Sequence, residues 1–211
     1  MEKAQSVHPI IDEVIHAALA DGRAVCIRTI RATDEERMRK GIEQLSAHSR
    51  YLRFFSSQRS LPDGVIEKLI QVDGHQHIAW GAILSNDAEY PAIGAVHVFR
   101  DSEHSANGEF SVAILDEYHG MGLARMLTAV LLINCRLEKI SSLLVQTLSE
   151  NRAALNLVRS LGGERSRTAS GISDFTLDTE LALHRLRGQS EQKGLQDVLR
   201  QLERYLQPFV P

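Results

Sequence analysis

The chain has little from which to build a cross-linked, basic or membrane-embedded protein. Its 211 residues include two cysteines, Cys26 and Cys135. Each lies in an apolar stretch, which argues against a secreted disulfide framework and for small buried hydrophobes in a reducing compartment. No apolar run approaches the length that crosses a bilayer, so no membrane partner is expected. The opening Met1-Glu2-Lys3-Ala4-Gln5 lacks the basic-then-apolar order of a signal peptide, and a cytoplasmic location is the expectation. A net charge of −3 offers no basic face to a polyanion, so no nucleic-acid partner is expected either. Internal repeats and low-complexity tracts are missing. With 43% apolar and 24% charged residues, the composition is that of an ordinary packed domain.

The length suits one domain with extensions, read here as a helical extension over 1–21, a central domain over 22–183 and an amphipathic helix over 184–211. Residues 9–20 mix apolar and acidic positions at helical spacing. Strand-like runs follow at 24–31, 77–84 and 92–99, with helices expected from the Thr33-x-x-Glu36 capping box and from Pro62. Between these helices, Ser49-Arg50-Tyr51-Leu52-Arg53-Phe54-Phe55 is rich in aromatics, suited to the core or to a pocket wall. Arg50 and Arg53 there either anchor a helix to the sheet or guide a ligand. The tail places Leu195, Val198, Leu199, Leu202, Leu206 and Phe209 on one helical face, to pack on the domain or to form a homodimer.

The section from 109 to 163 carries the most information. It reads strand (109–115), loop, helix (122–138), strand (141–148), helix (151–161), a unit whose crossover is right-handed and whose strands are parallel neighbours. The loop His119-Gly120-Met121-Gly122-Leu123-Ala124 joins a strand to a helix start. Free backbone N–H groups and the helix dipole make such a place an anion site, and missing Cβ atoms let phosphate oxygens approach. No Walker string is present. A dinucleotide fingerprint fails because Arg125 stands where its third glycine belongs.

This loop resembles the pyrophosphate loop of the GNAT family of N-acetyltransferases, [Q/R]-x-x-G-x-[G/A], with Gly122 and Ala124 at the last two positions and His119 in place of Gln or Arg. Asn151-x-x-Ala154-x-x-Leu157, ending at Gly162-Gly163, resembles the family's next helix, though Val158 stands where many members have Tyr. Leu45 to Phe55, Val72-Asp73 and the strand Glu109-Phe110-Ser111-Val112-Ala113-Ile114 are similar to bacterial Pat-type protein acetyltransferase domains. The resemblance covers roughly 22–180. It implies a mixed α/β fold with a mostly antiparallel twisted sheet flanked by helices, whose two parallel central strands splay apart. Acetyl-CoA would be the co-substrate, with no metal. The loop residues His119, Gly120, Met121, Gly122, Leu123 and Ala124 would hold its pyrophosphate, and Val112, Ile114 and Asn151 its pantetheine arm. Asn151 reads equally well as a helix cap.

Acetyl transfer to an amine needs a proton acceptor, because a lysine amine near pKa 10.4 is mostly charged at neutral pH. The Pat-type resemblance implies a base at Glu109. Strand alternation sets Glu109, Ser111 and Ala113 opposite Phe110, Val112 and Ile114. The acceptor implied is a protein lysine, with a small-molecule amine as the alternative. Val158 and His119 also leave open a non-catalytic acyl-CoA sensor. His75-x-His77 lacks further ligands for a metal, and Cys135 lies too late in its helix to be a nucleophile.

Overall fold

A computed structural model describes residues 9–189 and 192–206. Eight strands form one sheet in the order β1-β2-β3-β4-β5-β6-β8-β7. They are β1 Val14–Ala18, β2 Ala24–Thr29, β3 His77–Leu84, β4 Ala92–Arg100, β5 Asn107–Ile114, β6 Ser142–Leu148, β7 Glu164–Ala169 and β8 Ile172–Asp178. The helices are α1 Glu35–Gln44, α2 Ala47–Phe54, α3 Asp63–Ile70, α4 Leu123–Leu137, α5 Arg152–Ser160, α6 Thr179–Arg187, α7 Lys193–Gln201 and α8 Glu203–Leu206. All neighbouring strands are antiparallel except β5 and β6. The mixed, mostly antiparallel sheet is therefore as expected. Among the described residues no helix is long and apolar enough to cross a membrane.

Alternation along the strands divides the core between two faces. Val96, Val98 and Phe110 join the main cluster around α4, which is buried almost all round. Ala95 and Phe99 turn the other way, toward the smaller clusters of α1 and α3. A helix apolar on every side must be covered on every side; α6 and α7 cover what the sheet does not. One polar pair is enclosed with it: the fully buried Trp80 donates Nε1–H to Asn134 Oδ1 at 3.1 Å. Asn134→Leu leaves that donor without a partner. It is expected to cost about 1–3 kcal/mol of stability in a urea titration.

Three expectations need correction. The helix expected over 9–20, the core of the supposed extension at 1–21, is a short 3-10 turn followed by β1. Pairing along the open edge of β2, from Val14↔Arg28 to Ala18↔Ala24, outweighs a short helical pattern. The tail expected as one helix over 184–211 is broken into the end of α6, α7 and α8. Leu195, Val198, Leu202 and Leu206 are buried within the domain and Leu199 is partly so, while Phe209 lies outside the described residues. Helix α7 lies so close to β1 that a Cβ on Gly194 would meet the Ala18 carbonyl oxygen at 2.2 Å. Finally, Thr33 and Glu36 do not frame α1. The N-cap position falls to Asp34, whose side chain closes the preceding 3-10 turn instead, accepting from the Arg31 N–H at 2.9 Å and ion-pairing with Arg28 and Arg37.

Candidate active site

Strands β5 and β6 pair over only three positions, Asn107↔Ser142, Gly108↔Leu143 and Glu109↔Leu144, and then part. The opening is a cleft of about 630 Å³. Glu109 stands at its vertex, exposed, on the same side of the sheet as α2. Further along β5, Ser111, Val112 and Ile114 line the cleft, and the glycine loop closes its far end.

The loop is shaped by two left-handed glycines, Gly120 at φ 75° and Gly122 at φ 85°, a region costly for other residues. Hydrogen bonding resumes at Arg125 and Met126, whose N–H groups donate to the Gly122 carbonyl. The five amides before them, Gly120 to Ala124, have no acceptor among the described residues. A run of unpaired donors at the start of α4 suits a phosphate. Met121 serves the loop from behind: it does not line the cleft, its carbonyl accepts from the Ala20 N–H at 3.2 Å, and Arg23 reaches its Sδ. His119 lines the cleft but is already engaged. Its Nε2–H donates to the Ile114 carbonyl at 2.9 Å and its backbone N–H to Asp116 at 3.2 Å.

On the opposite wall Asn151 caps α5, its Oδ1 accepting from the Ala154 N–H at 3.0 Å, and it lines the cleft as well. The two roles read from the sequence are thus compatible. Val158 is packed against Gly163 and carries no proton. Thr147, a cleft residue that sequence reasoning passed over, is 3% exposed and its Oγ1 has no hydrogen-bond partner. A buried orphan hydroxyl calls for a ligand or water. Together with the five free amides, it gives these walls unpaired polar groups of the kind that suit a CoA arm and pyrophosphate. Arg125, a misfit to the dinucleotide fingerprint, also lines the cleft and donates Nε–H to Gln189 Oε1 at 2.8 Å.

Helix α2 lines the cleft on the side of Glu109. Its N-cap Ser46 and Ser49 are tied to Asp116, just before the loop. The Asp116 carboxylate accepts from Ser46 N–H at 3.0 Å, Ser46 Oγ at 2.8 Å and Ser49 Oγ at 2.7 Å. Burial pushes the Asp116 pKa up, but these donors outweigh it and hold the group at about 2, below the ordinary 3.8. A depressed carboxylate stabilises the fold above its unfolded pKa and loses that contribution as pH falls through the folded one. The stability difference between the wild type and Asp116→Ala, followed by thermal unfolding, is expected to close between pH 3.8 and about 2.

Arg50 proves structural, donating to the carbonyls of Glu43, Leu45 and Ser57. Arg53 enters the cleft and donates Nη2–H to Ser111 Oγ at 2.7 Å. Burial lowers its pKa to about 10, with Glu109 opposing the fall. Behind it lies a buried pair: His77 Nδ1–H donates to the Gln71 carbonyl at 2.8 Å, and His77 Nε2 meets His97 Nδ1 at 3.0 Å. Burial lowers the pKa of both rings, for His97 well below the usual value. His75 turns instead to Glu138. Among the described residues no group of three or more His, Cys, Asp or Glu is placed to hold a metal ion. Cys135 is buried in α4, with its thiol pushed up to about 12 by that burial; Cys26 is half-buried on β2.

Comparison with known proteins agrees with this geometry. The family model for the acetyltransferase (GNAT) domain matches residues 24–164. An acetyltransferase of Pseudomonas aeruginosa is 30% identical over 145 residues, 69% of this chain and 77% of its own. In structure, the GNAT domain of S. lividans PAT superposes with a TM-score of 0.72 at 21% identity, over 78% of this chain and 96% of that one. RimJ of Mycobacterium smegmatis, solved with CoA-disulfide, gives 0.64 at 13% identity, over 86% and 97%.

Proposed function

The chain belongs to the GNAT acetyltransferase family, acyl-CoA-dependent acyltransferases that act on amines, and we propose that its acceptor is a protein lysine, with Glu109 as general base. Acetyl-CoA, when bound, supplies the activated acyl group. Its pyrophosphate would rest on the amides of Gly120 to Ala124, and its pantetheine arm between Val112 and Ile114 on one side and Thr147 and Asn151 on the other.

One observation carries the reading: a carboxylate, Glu109, stands at the vertex of the cleft, where β5 and β6 part. It is exposed and lies on the α2 side, where an acceptor amine can reach it directly or through a water. It would take the proton that the amine must lose. The loop and α5 would hold the other partner in reach; as the amine nitrogen bonds the acetyl carbon the thioester C–S bond breaks, and CoA leaves as its thiolate. The lysine acceptor draws support from the Pat-type resemblance and from the mouth of the cleft. There Phe55, the C-cap of α2, lines the rim at 51% exposure and Tyr51 stands on α2 at 40%, exposed aromatics suited to a protein surface.

The test follows CoA release from acetyl-CoA with candidate bacterial proteins and small amines side by side. Release with proteins, and acetyl-lysine by mass spectrometry, is the expected result. Release with small amines alone would overturn the lysine assignment. Binding of acetyl-CoA with no release in either arm would overturn catalysis in favour of a sensor.

A further inference from the structure

We propose that Ser111 is a positioning residue, whose hydroxyl holds the Arg53 guanidinium back from Glu109 and so keeps that carboxylate free to accept a proton. The inference rests on the reading of Glu109 as the base.

Arg53 descends from the last turn of α2 and lies against both the cleft and a small apolar cavity of about 70 Å³ beneath α1. Arg53 is half-buried there, within reach of an acidic partner on the cleft wall. Arg53 instead has a neutral one, the Ser111 hydroxyl, and its guanidinium carbon lies 4.8 Å from the Phe54 ring centre. It feels the charge of Glu109, yet among the described residues no carboxylate forms an ion pair with it. The two residues nonetheless share a wall. Ser111 and Glu109 lie two positions apart on one face of β5, about 6.7 Å along the strand. A released arginine side chain spans that distance by turning a torsion or two.

The consequence is chemical. A guanidinium bonded to a carboxylate lowers its pKa by about 1–3 units, and a weaker base takes a proton less readily in the transition state. Held by Ser111, Arg53 leaves the lone pairs of Glu109 open to the acceptor's proton. The neighbouring groups do not compete for this task. Register sets His97 beside Ser111, and His97 and His77 are buried rings with lowered pKa, hence neutral near pH 7. His48 shares α2 with Arg53, while Glu150 and Arg152 line the cleft from the β6–α5 side.

The experiment reads Glu109 directly, without any acceptor. Its side-chain carboxyl is titrated by 13C NMR in unliganded wild type, Ser111→Ala, Arg53→Met and the double variant, the signal being assigned by its loss in Glu109→Gln. Ser111→Ala is expected to lower the Glu109 pKa by at least about one unit, and the double variant to return to the Arg53→Met value. Turnover should follow the same pattern: a loss of about tenfold or more in Ser111→Ala, recovered by adding Arg53→Met, where a merely structural serine would give losses that multiply. Ser111→Thr, which keeps the hydroxyl, should titrate like wild type. Should Ser111→Ala fold poorly, Ser111→Cys carries the same expectation, since a thiol is a weak acceptor. An unchanged Glu109 pKa in these variants overturns the restraint. A shifted pKa together with wild-type turnover in Glu109→Gln overturns the base reading instead, and with it the catalytic meaning of the restraint.

Discussion

Gly122→Glu is expected to weaken CoA binding by at least about 100-fold in calorimetry, roughly 2.8 kcal/mol at tenfold per 1.4. Two causes act together. Gly122 sits at φ 85°, where any side chain costs about 1–2 kcal/mol, so the loop relaxes and its amides lose their convergence. The new carboxylate also stands among the five free donors intended for a dianion, with like-charge repulsion added to lost hydrogen bonds. Gly122→Ala separates the two. Space is no obstacle, since the nearest atom to an added Cβ is Gln192 Oε1 at 3.4 Å, so it carries the conformational cost alone. A loss of about tenfold is expected there. Equal affinities for wild type and Gly122→Glu would remove the loop from the binding site.

The second large effect concerns Glu109. Glu109→Gln keeps the shape and removes the proton acceptor. General-base catalysis contributes about 10²–10⁴-fold, so amine-dependent CoA release at pH 7 is expected to fall by at least about 100-fold, while calorimetric CoA affinity stays as it was. The loop and the base thus part cleanly, one variant losing binding and the other turnover. Loss of both in Glu109→Gln would mean that the residue supports the cleft instead of the chemistry.

How much of this was legible beforehand follows from the reach of each interaction. The unit from β5 to α5 could be read because its signals are local. Two glycines precede an apolar helix, an asparagine opens the next, and a Gly-Gly pair ends it. By contrast, β1 was misread because five residues hold little pattern and their fate is set by the open edge of β2, which they meet after a turn. The ties that arrange the acceptor side were invisible for another reason. Asp116 to Ser46 and Ser49, Arg53 to Ser111, and His77 to His97 join residues 20 to 70 positions apart, and no spacing rule reaches that far. His119 was expected at the phosphate. Its side chain is drawn to the Ile114 carbonyl, which β5 leaves unpaired as it parts from β6. Thr147 carried no signal at all, since a threonine in a strand is ordinary and only its enclosure makes it conspicuous.

The account rests on CoA lying in the opening of β5 and β6 with its pyrophosphate on the loop. Backbone 15N NMR during a titration with CoA tests this residue by residue. The amides of Gly120, Met121, Gly122, Leu123 and Ala124 should show the largest shifts, accompanied by Val112, Ile114 and Thr147, and the loop shifts should vanish in Gly122→Glu. Saturable CoA binding that leaves those five amides unmoved would contradict the account.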